Sequence, residues 1–208
     1  QDVIGRNCRF LQGQTTDPYT VSEIRRAIEQ GTECTAELLN HRKDGTPFWN
    51  RLSLTPLPDP SGRVAHFVGV QSDITELKEM VGTCSLILRV DRIEPSKNIV
   101  RGFLAFEEML ELYPEHRGEV QFLTLLVPSR MDVEEYRHYL DDLMSTAGRV
   151  NAAYGDSEWE PVRVLVGESY PRAVAAMQLY DVLLVNSIAD GMNLVAKEGP
   201  IVNRRGGV

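Results

Sequence analysis

The pattern of hydrophobic and polar positions changes near residue 80 and divides the chain into two parts. Between residues 20 and 73 the apolar stretches are short, they alternate with polar positions, and turn residues separate them. From residue 86 onward, continuous apolar runs of strand length alternate with long amphipathic stretches. Alternation with a period of two is typical of antiparallel strands, whereas continuous runs between helices are typical of parallel strands. The pattern therefore predicts two domains, at residues 1–80 and 81–208.

In the first part, one helix and three strands are expected. Val21, Ile24 and Ile28 fall on one helical face ahead of Gly31, which predicts a short amphipathic helix over residues 20–30. Turn sequences rich in Asp, Gly and Pro then separate runs that alternate with the period of a strand. The expected strands are residues 33–41, 48–54 and 66–73. A helix followed by antiparallel strands indicates an α+β fold.

In the second part, strands and helices alternate along the chain. This order indicates parallel βαβ units of the Rossmann type, so the fold class expected here is α/β. Residues 74–80 resemble the first turns of a connecting helix between the two parts. The expected strands are residues 86–90, 120–127, 162–166 and 182–185, and the expected helices are residues 96–113, 133–154 and 171–179.

Charge and composition exclude two classes of partner. The net charge of the 208-residue chain is −8, with 9 Lys and Arg against 11 Asp and Glu in residues 1–80, and 13 against 19 in residues 81–208. Because no basic stripe interrupts this acidic balance, nucleic acid is not expected as a partner. No apolar run approaches the roughly 18 residues that cross a bilayer, so no membrane span is expected either.

Cysteine and histidine usage argues against metal sites and disulfides. Cys8, Cys34 and Cys84 are odd in number and lack Cys-x-x-Cys spacing, and the four histidines are scattered. We therefore expect no zinc site, no other metal site and no disulfide framework. Free thiols favour a reducing, cytoplasmic location.

The sequence around Cys8 points to a flavin. A lone cysteine is most often a small buried hydrophobe, but residues 7–13 read Asn-Cys-Arg-Phe-Leu-Gln-Gly. This run resembles the signature of LOV domains, the blue-light-sensing branch of the PAS fold, and the resemblance extends over residues 2–79. It implies noncovalent binding of flavin mononucleotide (FMN) and, under blue light, a reversible bond between the Cys8 thiol and flavin C4a.

The resemblance also assigns a flavin contact to each matching residue. Arg9 and Arg25 would hold the phosphate, since a planar guanidinium can bind it through two hydrogen bonds. Gln71 would lie beside flavin N5, and re-pairing of its amide would carry the signal to the trailing helix. The full set of FMN contacts implied by the resemblance is Asn7, Arg9, Leu11, Gln12, Arg25, Ile28, Asn40, Asn50, Leu52, Leu54, Phe67 and Gln71.

Two runs in the second part are candidates for a site that binds an anion or sugar oxygens. Residues 190–198 read Asp-Gly-Met-Asn-Leu-Val-Ala-Lys-Glu and place a glycine ahead of an expected helix N-terminus, where free backbone amides can bind an anion. Taken alone, Asp-Gly is more often a simple turn. Arg92 and Lys97 follow the strand at residues 86–90 and form either a diphosphate clamp or a pair of surface charges.

Together these runs resemble the retaining glycosyltransferases that make trehalose 6-phosphate from UDP-glucose and glucose 6-phosphate. The resemblance covers residues 86–208. It implies that Arg92 and Lys97 hold the donor diphosphate and stabilise the leaving UDP, with no cofactor or metal needed beyond the UDP-glucose substrate. The remaining contacts that it implies are Asp190, Gly191, Met192 and Asn193 to the donor glucose, Leu194 and Val195 along the donor loop, Glu198 to the ribose, and Arg130 to the acceptor phosphate.

Both resemblances are expected to be partial. LOV domains carry two strands and two short helices ahead of the cysteine motif, and the glycosyltransferases place their site between two Rossmann-like domains. The chain is therefore expected to lack the N-terminal third of the LOV domain, to contain only part of the donor-binding domain, and to be inactive by itself. Three hypotheses remain open: a trehalose-phosphate synthase domain, a flavin photosensor with a passive or regulated effector, and a joined fragment without native activity.

Overall fold

The computed structural model describes residues 4–203 and 205–208. It divides into two compact units, Gln1–Glu79 and Met80–Val208, and each is described by itself.

The first unit is a three-stranded antiparallel sheet preceded by helices. A short 3-10 helix (Cys8–Leu11) and the α-helix α1 (Pro18–Gln30) lead into the strands. The strands pair in the order β1-β2-β3, without a crossover. They are β1 (Cys34–His41), β2 (Pro47–Pro58) and β3 (Val64–Asp73).

Helix α1 begins and ends at residues suited to those positions. Asp17 caps its N-terminus by accepting hydrogen bonds from the Tyr19 and Thr20 backbone N–H groups at 3.1 and 3.0 Å. The Thr20 hydroxyl donates to the same carboxylate, and these bonds lower the pKa of Asp17. Gly31 ends the helix in the left-handed region with φ 67°, which a glycine adopts without strain.

Helix α2 (Thr75–Val81) starts against the second strand and runs across the boundary between the units. The Trp49 N–H donates to Thr75 Oγ1 at 2.8 Å. The Lys78 ammonium lies 3.9 Å from the centre of the Trp49 ring and 2.6 Å from the Glu37 carboxylate. These contacts attach the first turn of α2 to the sheet.

The second unit is a four-stranded parallel sheet with the strand order β6-β5-β4-β7. Its strands are β4 (Ser85–Arg92), β5 (Val120–Val127), β6 (Val162–Val166) and β7 (Val182–Leu183). Its α-helices are α3 (Ile99–Leu112), α4 (Glu134–Tyr154), α5 (Tyr170–Met177) and α6 (Val195–Val202). The expected order of an α+β fold followed by an α/β fold is confirmed.

The core of the second unit forms around the central strand. Residues 121–126 of β5 are all buried, as expected for a strand with neighbours on both sides. Phe122 meets Phe103 and Phe106 of α3 edge to face, with ring centroids 5.4 and 5.3 Å apart. Aromatic pairs favour this geometry because the positive edge of one ring faces the negative face of the other.

Two expected elements differ from those observed. The helix expected over residues 96–113 is divided, because Asn98 takes a left-handed conformation with φ 59° between a 3-10 turn (Pro95–Lys97) and α3. The strand expected over residues 182–185 has only two residues. Beyond it the Ile188 N–H donates to the Ser96 carbonyl at 2.9 Å, so the chain leaves the sheet to bond the loop that follows β4.

Candidate functional site

The order of the strands locates a crevice in the second unit. Strand β4 lies between β5 and β7, and the chain adds β5 and β6 on one side of β4 before it adds β7 on the other side. At such a switch point the loops that follow the two strands run in opposite directions, and ligands bind between them. Arg92 is the last residue of β4 and Lys97 lies in the loop that follows it, whereas the loop after β7 carries residues 186–194.

Lys97 and Asp190 join these two loops. The Lys97 ammonium lies 2.6 Å from Asp190 Oδ2, and the Lys97 side chain is buried. The hydrogen bond from Lys97 lowers the pKa of Asp190, since it stabilises the ionised carboxylate. The structure therefore brings together two residues, each expected at a substrate site, that lie far apart in sequence.

Arg92 lies in a different environment from Lys97. Its side chain is 62% exposed, and it contacts Glu94 Oε1 at 3.3 Å. The same Glu94 oxygen accepts a hydrogen bond from the Ser129 hydroxyl at 3.2 Å, which links the loops after β4 and β5. Glu94 thus holds one guanidinium nitrogen of Arg92, while most of the Arg92 side chain remains exposed to solvent.

The donor loop is organised by side chains before α6 begins. Asn193 donates to Asp190 Oδ2 at 2.9 Å and accepts the Ala196 N–H at 2.9 Å. Met192 and Leu194 are exposed, whereas Val195 and Glu198 in the first turn of α6 are half-buried. The helix starts at Val195, four residues after Gly191, and Asn193 accepts the backbone N–H of Ala196 in its first turn.

Arg130 follows the carboxyl end of β5 in a left-handed conformation with φ 48°. Its guanidinium donates to the Tyr136 hydroxyl at 3.2 Å and lies 5.8 Å from the centre of that ring. The side chain is exposed. Tyr136, which sequence reasoning did not identify, therefore helps to position the Arg130 guanidinium.

In the first unit, strand register collects the expected flavin contacts on one face of the sheet. Leu52 lies opposite Gln71, and Leu54 lies opposite Gly69. Asn50 Nδ2 donates to Gln71 Oε1 at 2.8 Å. Asn40 is also buried, but its Oδ1 has no hydrogen-bond partner within the described part of the chain.

The other expected flavin contacts are divided between two places. Gln12 and Arg25 line one cavity of about 300 Å³ with neighbouring residues of α1. Cys8 and Arg9 belong to the exposed 3-10 helix, Asn7 caps its N-terminus, and none of the three lines that cavity. Leu11 and Phe67 are half-buried, and Ile28 is exposed. The structure therefore brings together only part of the set.

Gly13, which ends the cysteine motif, lets the chain pass close to the His41 ring of β1. A methyl group at this position would lie within 2.4 Å of the His41 ring. The Thr16 hydroxyl donates to the Leu39 carbonyl at 2.5 Å, and the Thr15 hydroxyl lies 3.1 Å from His41 Nε2. The loop after the cysteine motif is thus attached to β1.

Comparison with known proteins identifies both units. Residues 63–207 match the model of glycosyltransferase family 20, which is more than half of the chain. The chain belongs to glycosyltransferase family 20. Residues 1–76 match the PAS domain model, so the family 20 segment is preceded by a PAS-type segment, and both predicted resemblances are confirmed.

Individual relatives of this family 20 chain align with one unit or the other. Phototropin-1A of Oryza sativa subsp. japonica is 44% identical over 79 residues, 38% of this chain and 9% of that protein. The UDP-forming alpha,alpha-trehalose-phosphate synthase A of Dictyostelium discoideum is 36% identical over 130 residues, 62% of this chain and 18% of that protein. The chain therefore spans less than a fifth of each of these relatives.

A solved structure supports the fold of the second unit. The E. coli protein described as bound with UDP-2-fluoro glucose is 34% identical, with a TM-score of 0.60 over 63% of this chain and 29% of that chain. Its description names a UDP-sugar ligand for that protein. The parallel sheet of the second unit is thus the fold of a family 20 glycosyltransferase.

Sequence reasoning missed the buried polar residues behind the candidate site. Arg89 and Asp91 are buried within β4, and Asn186 follows β7. The available signal was Arg89 itself, because a charged residue in an otherwise apolar strand needs a buried partner. Its partner Asn186 lies 97 positions away, so the sequence offered no indication of which residue that would be.

Two wider searches cover the described residues 4–203 and 205–208. Among them, no group of three or more His, Cys, Asp or Glu side chains is arranged to hold a metal ion. None of their helices combines the length and the apolar character needed to cross a membrane.

Proposed function

We propose that the second unit binds UDP-glucose in the crevice between the loops after β4 and β7, as the donor site of a trehalose-6-phosphate synthase. The observation that carries this proposal is the Lys97–Asp190 pair, 2.6 Å apart at the switch point of the sheet. Similarity to synthases described as UDP-forming supports the same ligand class.

In this proposal, Lys97 and Arg92 have different tasks. The donor diphosphate takes the place of Asp190 as the partner of the Lys97 ammonium, and the exposed Arg92 folds over the phosphates. Both cations then stabilise the negative charge that develops on the leaving UDP. Because Lys97 is buried, its interaction with the phosphates is less screened by water than that of Arg92.

The released Asp190 is then available to the sugar. Its carboxylate, with Asn193, accepts and donates hydrogen bonds to glucose hydroxyls, and residues 191 and 192 shape the same loop. Leu194 and Val195 border the loop, and Glu198 accepts from the ribose hydroxyls. Arg130 binds the phosphate of glucose 6-phosphate, since a guanidinium favours a dianionic phosphate.

Calorimetric titration with UDP-glucose tests the donor site. Lys97→Ala should weaken binding at least about tenfold, because it removes a buried charge-assisted contact. Arg101→Ala, which removes an exposed cation from α3 of the same unit, is the matched control and should bind as the unchanged protein does. Equal affinity in both variants contradicts the proposal.

A second function is supported by the first unit. We propose that its sheet binds FMN, because Asn40 presents a buried carbonyl oxygen without a partner among residues 4–203 and 205–208, and because Asn50 and Gln71 lie paired on the same face. These amides suit the polar edge of a flavin ring. Arg25 and Gln12 would hold the phosphate and ribityl end, and Arg9 and Asn7 would close over it. Bound flavin would supply absorption of blue light, and Cys8 would supply the thiol.

Equilibrium dialysis with FMN tests this function independently of the sugar site. The full chain should retain FMN, and Arg25→Ala should retain less because it loses a phosphate contact. Arg26→Ala, an exposed neighbour on the same helix, is the control. If the full chain retains no FMN, this function is wrong.

Location and turnover are also matters for proposal. We infer a cytoplasmic location from the three free cysteines, Cys8, Cys34 and Cys84. We also propose that this chain alone forms no trehalose 6-phosphate, because the exposed Arg130 is the single acceptor contact proposed for it, whereas catalysis requires both reactants to be held firmly together. Formation of product from UDP-glucose and glucose 6-phosphate by the purified chain would contradict that.

A further inference from the structure

Arg89 is an arginine in the middle of β4 whose side chain is completely shielded from solvent. One guanidinium nitrogen donates to Asn186 Oδ1, and the other donates to the Lys97 backbone carbonyl. The second nitrogen also lies 2.9 Å from Asp91 Oδ2. Arg89 therefore contacts both loops of the candidate donor site and reaches them from beneath, within the sheet.

Four charged residues follow one another from Arg89 to the crevice. Asp91 lies between Arg89 at 2.9 Å and the Lys97 ammonium at 3.9 Å. Lys97 in turn lies 2.6 Å from Asp190. The signs alternate as plus, minus, plus and minus, and exposure increases toward the crevice.

Asp91 is the member of this series that could compete with a ligand. Its side chain is buried, and burial raises its pKa while Arg89 and Lys97 act to lower it. A buried carboxylate needs a cationic partner. Without Arg89 the remaining cation within reach is Lys97, whose charge would then be engaged inside the protein.

We propose that Arg89 is a positioning residue of the donor site: it neutralises Asp91 and so leaves the Lys97 ammonium able to exchange Asp190 for the donor diphosphate. This inference rests on the proposed binding of UDP-glucose by the second unit. It adds a residue that does not touch the ligand but sets the charge available to it.

The packing around Arg89 is consistent with this role. A methyl group at Gly102 of α3 would lie 2.9 Å from Arg89 Nη1. Asn98 Nδ2 donates to the Asn186 carbonyl at 3.0 Å, close to the point where Arg89 binds the Asn186 side chain. The helix thus leaves room for the guanidinium, and both loops bind each other around it.

Calorimetric titration of the full chain with UDP separates the charge of Arg89 from its packing. Arg89→Met removes the charge and keeps a long side chain, and it should weaken UDP binding about tenfold or more because Asp91 then holds Lys97. Arg89→Lys keeps a cation beside Asp91 but loses the forked donors of the guanidinium, so it should lose clearly less UDP affinity than Arg89→Met does. Equal loss in both variants would overturn the charge-based role.

A second substitution provides the rescue. In the Arg89→Met background, Asp91→Asn removes the competing carboxylate and should restore UDP affinity to within about threefold of Asp91→Asn alone. Far-ultraviolet circular dichroism and a cooperative thermal transition are recorded for every variant. If the double variant is folded and still binds as weakly as Arg89→Met, the inference is wrong.

The outcomes distinguish this inference from the proposed function. If the unchanged protein binds no UDP, the proposed donor site fails and the role of Arg89 fails with it. If the unchanged protein binds UDP and Lys97→Ala abolishes binding, but Arg89→Met binds normally, the donor site stands and only the role of Arg89 is overturned.

Discussion

The two candidate sites differ in how far their side chains already contact one another. At the switch point of the second unit, Lys97 and Asp190 form an ion pair across two loops, and Arg89 supports both loops from below. On the sheet of the first unit, Asn40 has a buried oxygen without a partner in the described residues, and Cys8 lies on an exposed helix. The polar groups of the site in the second unit are paired with one another. The site in the first unit contains a polar group that a ligand would pair.

Strand topology explains much of this difference. In a parallel sheet the carboxyl ends of neighbouring strands meet at one edge, so the loops after β4 and β7 are brought together by the fold itself. In an antiparallel sheet, register decides only which face a side chain occupies. Asn40, Asn50 and Gln71 therefore share a face, but their register alone does not enclose a pocket.

The largest expected effect is on the free energy of unfolding of the second unit, when a side chain of its core is truncated. Phe122→Ala should lower the free energy of unfolding of that unit by about 3–5 kcal/mol, because a fully buried ring is lost. Urea unfolding can be followed separately in each unit, since Trp49 belongs to the first and Trp159 to the second. Leu104→Ala, on the exposed side of α3, should cost less than about 1 kcal/mol. An equal shift of the Trp49 transition would contradict independent cores.

A smaller effect, on UDP affinity, is expected when the ion pair between Lys97 and Asp190 is removed. Asp190→Asn should strengthen the binding of UDP alone about three- to tenfold, because the ligand no longer displaces a carboxylate from Lys97. The additional affinity of UDP-glucose over UDP should fall, since the sugar loses an acceptor. Asp141→Asn on the exposed face of α4 is the control for net charge. Unchanged affinity for UDP would show that Asp190 does not restrain Lys97.

Replacement of Asn40, whose buried amide oxygen is unsatisfied, should change stability and FMN binding in opposite directions. Asn40→Leu should raise the free energy of unfolding of the flavin-free unit by about 1 kcal/mol, since an unpaired buried oxygen is removed. The same change should weaken FMN binding. Asn50→Leu should instead destabilise the unit, because it breaks the bond to Gln71. A loss of stability in both variants would mean that Asn40 is satisfied without flavin.

The smallest effect is a pH dependence at the start of α1. The pKa of Asp17 is lowered in the folded protein by its hydrogen bonds with Thr20 and Tyr19. A lowered pKa means that the stabilisation is present above the unfolded value, about 3.9, and is lost as pH falls through the folded value. Asp17→Asn keeps a capping side chain but cannot titrate, so the Trp49 transition should depend less on pH below about 5. Identical pH profiles would contradict this role of Asp17.

Sequence patterns predicted the elements whose bonding is local or regular. Residues 120–127 and 162–166 were predicted with the observed bounds, because both are uninterrupted runs rich in apolar residues. The strand predicted over residues 182–185 is longer than the observed strand, because Ile188 and Asn186 bond residues 96–98 instead of continuing the sheet. Such pairings depend on tertiary contact, which periodicity does not record.

The candidate sites were predicted to a similar extent. Motifs identified Lys97 and Asp190, but their direct pairing came only from the sheet order. Arg89 was visible as a charge in an apolar strand, yet its role depends on Asn186 and on the Lys97 carbonyl. Backbone carbonyls carry no residue-specific signal in a sequence, so contacts of this kind require coordinates.

The most direct test of the donor site is a titration of the full chain with UDP, followed through the backbone amide signals of its nuclear magnetic resonance spectrum. We expect shifts at residues 92–98 and 186–198, with the signals of residues 34–73 unchanged. Absence of shifts in the two loops, or shifts centred on the sheet of the first unit, would contradict a UDP-sugar site at the switch point between β4 and β7.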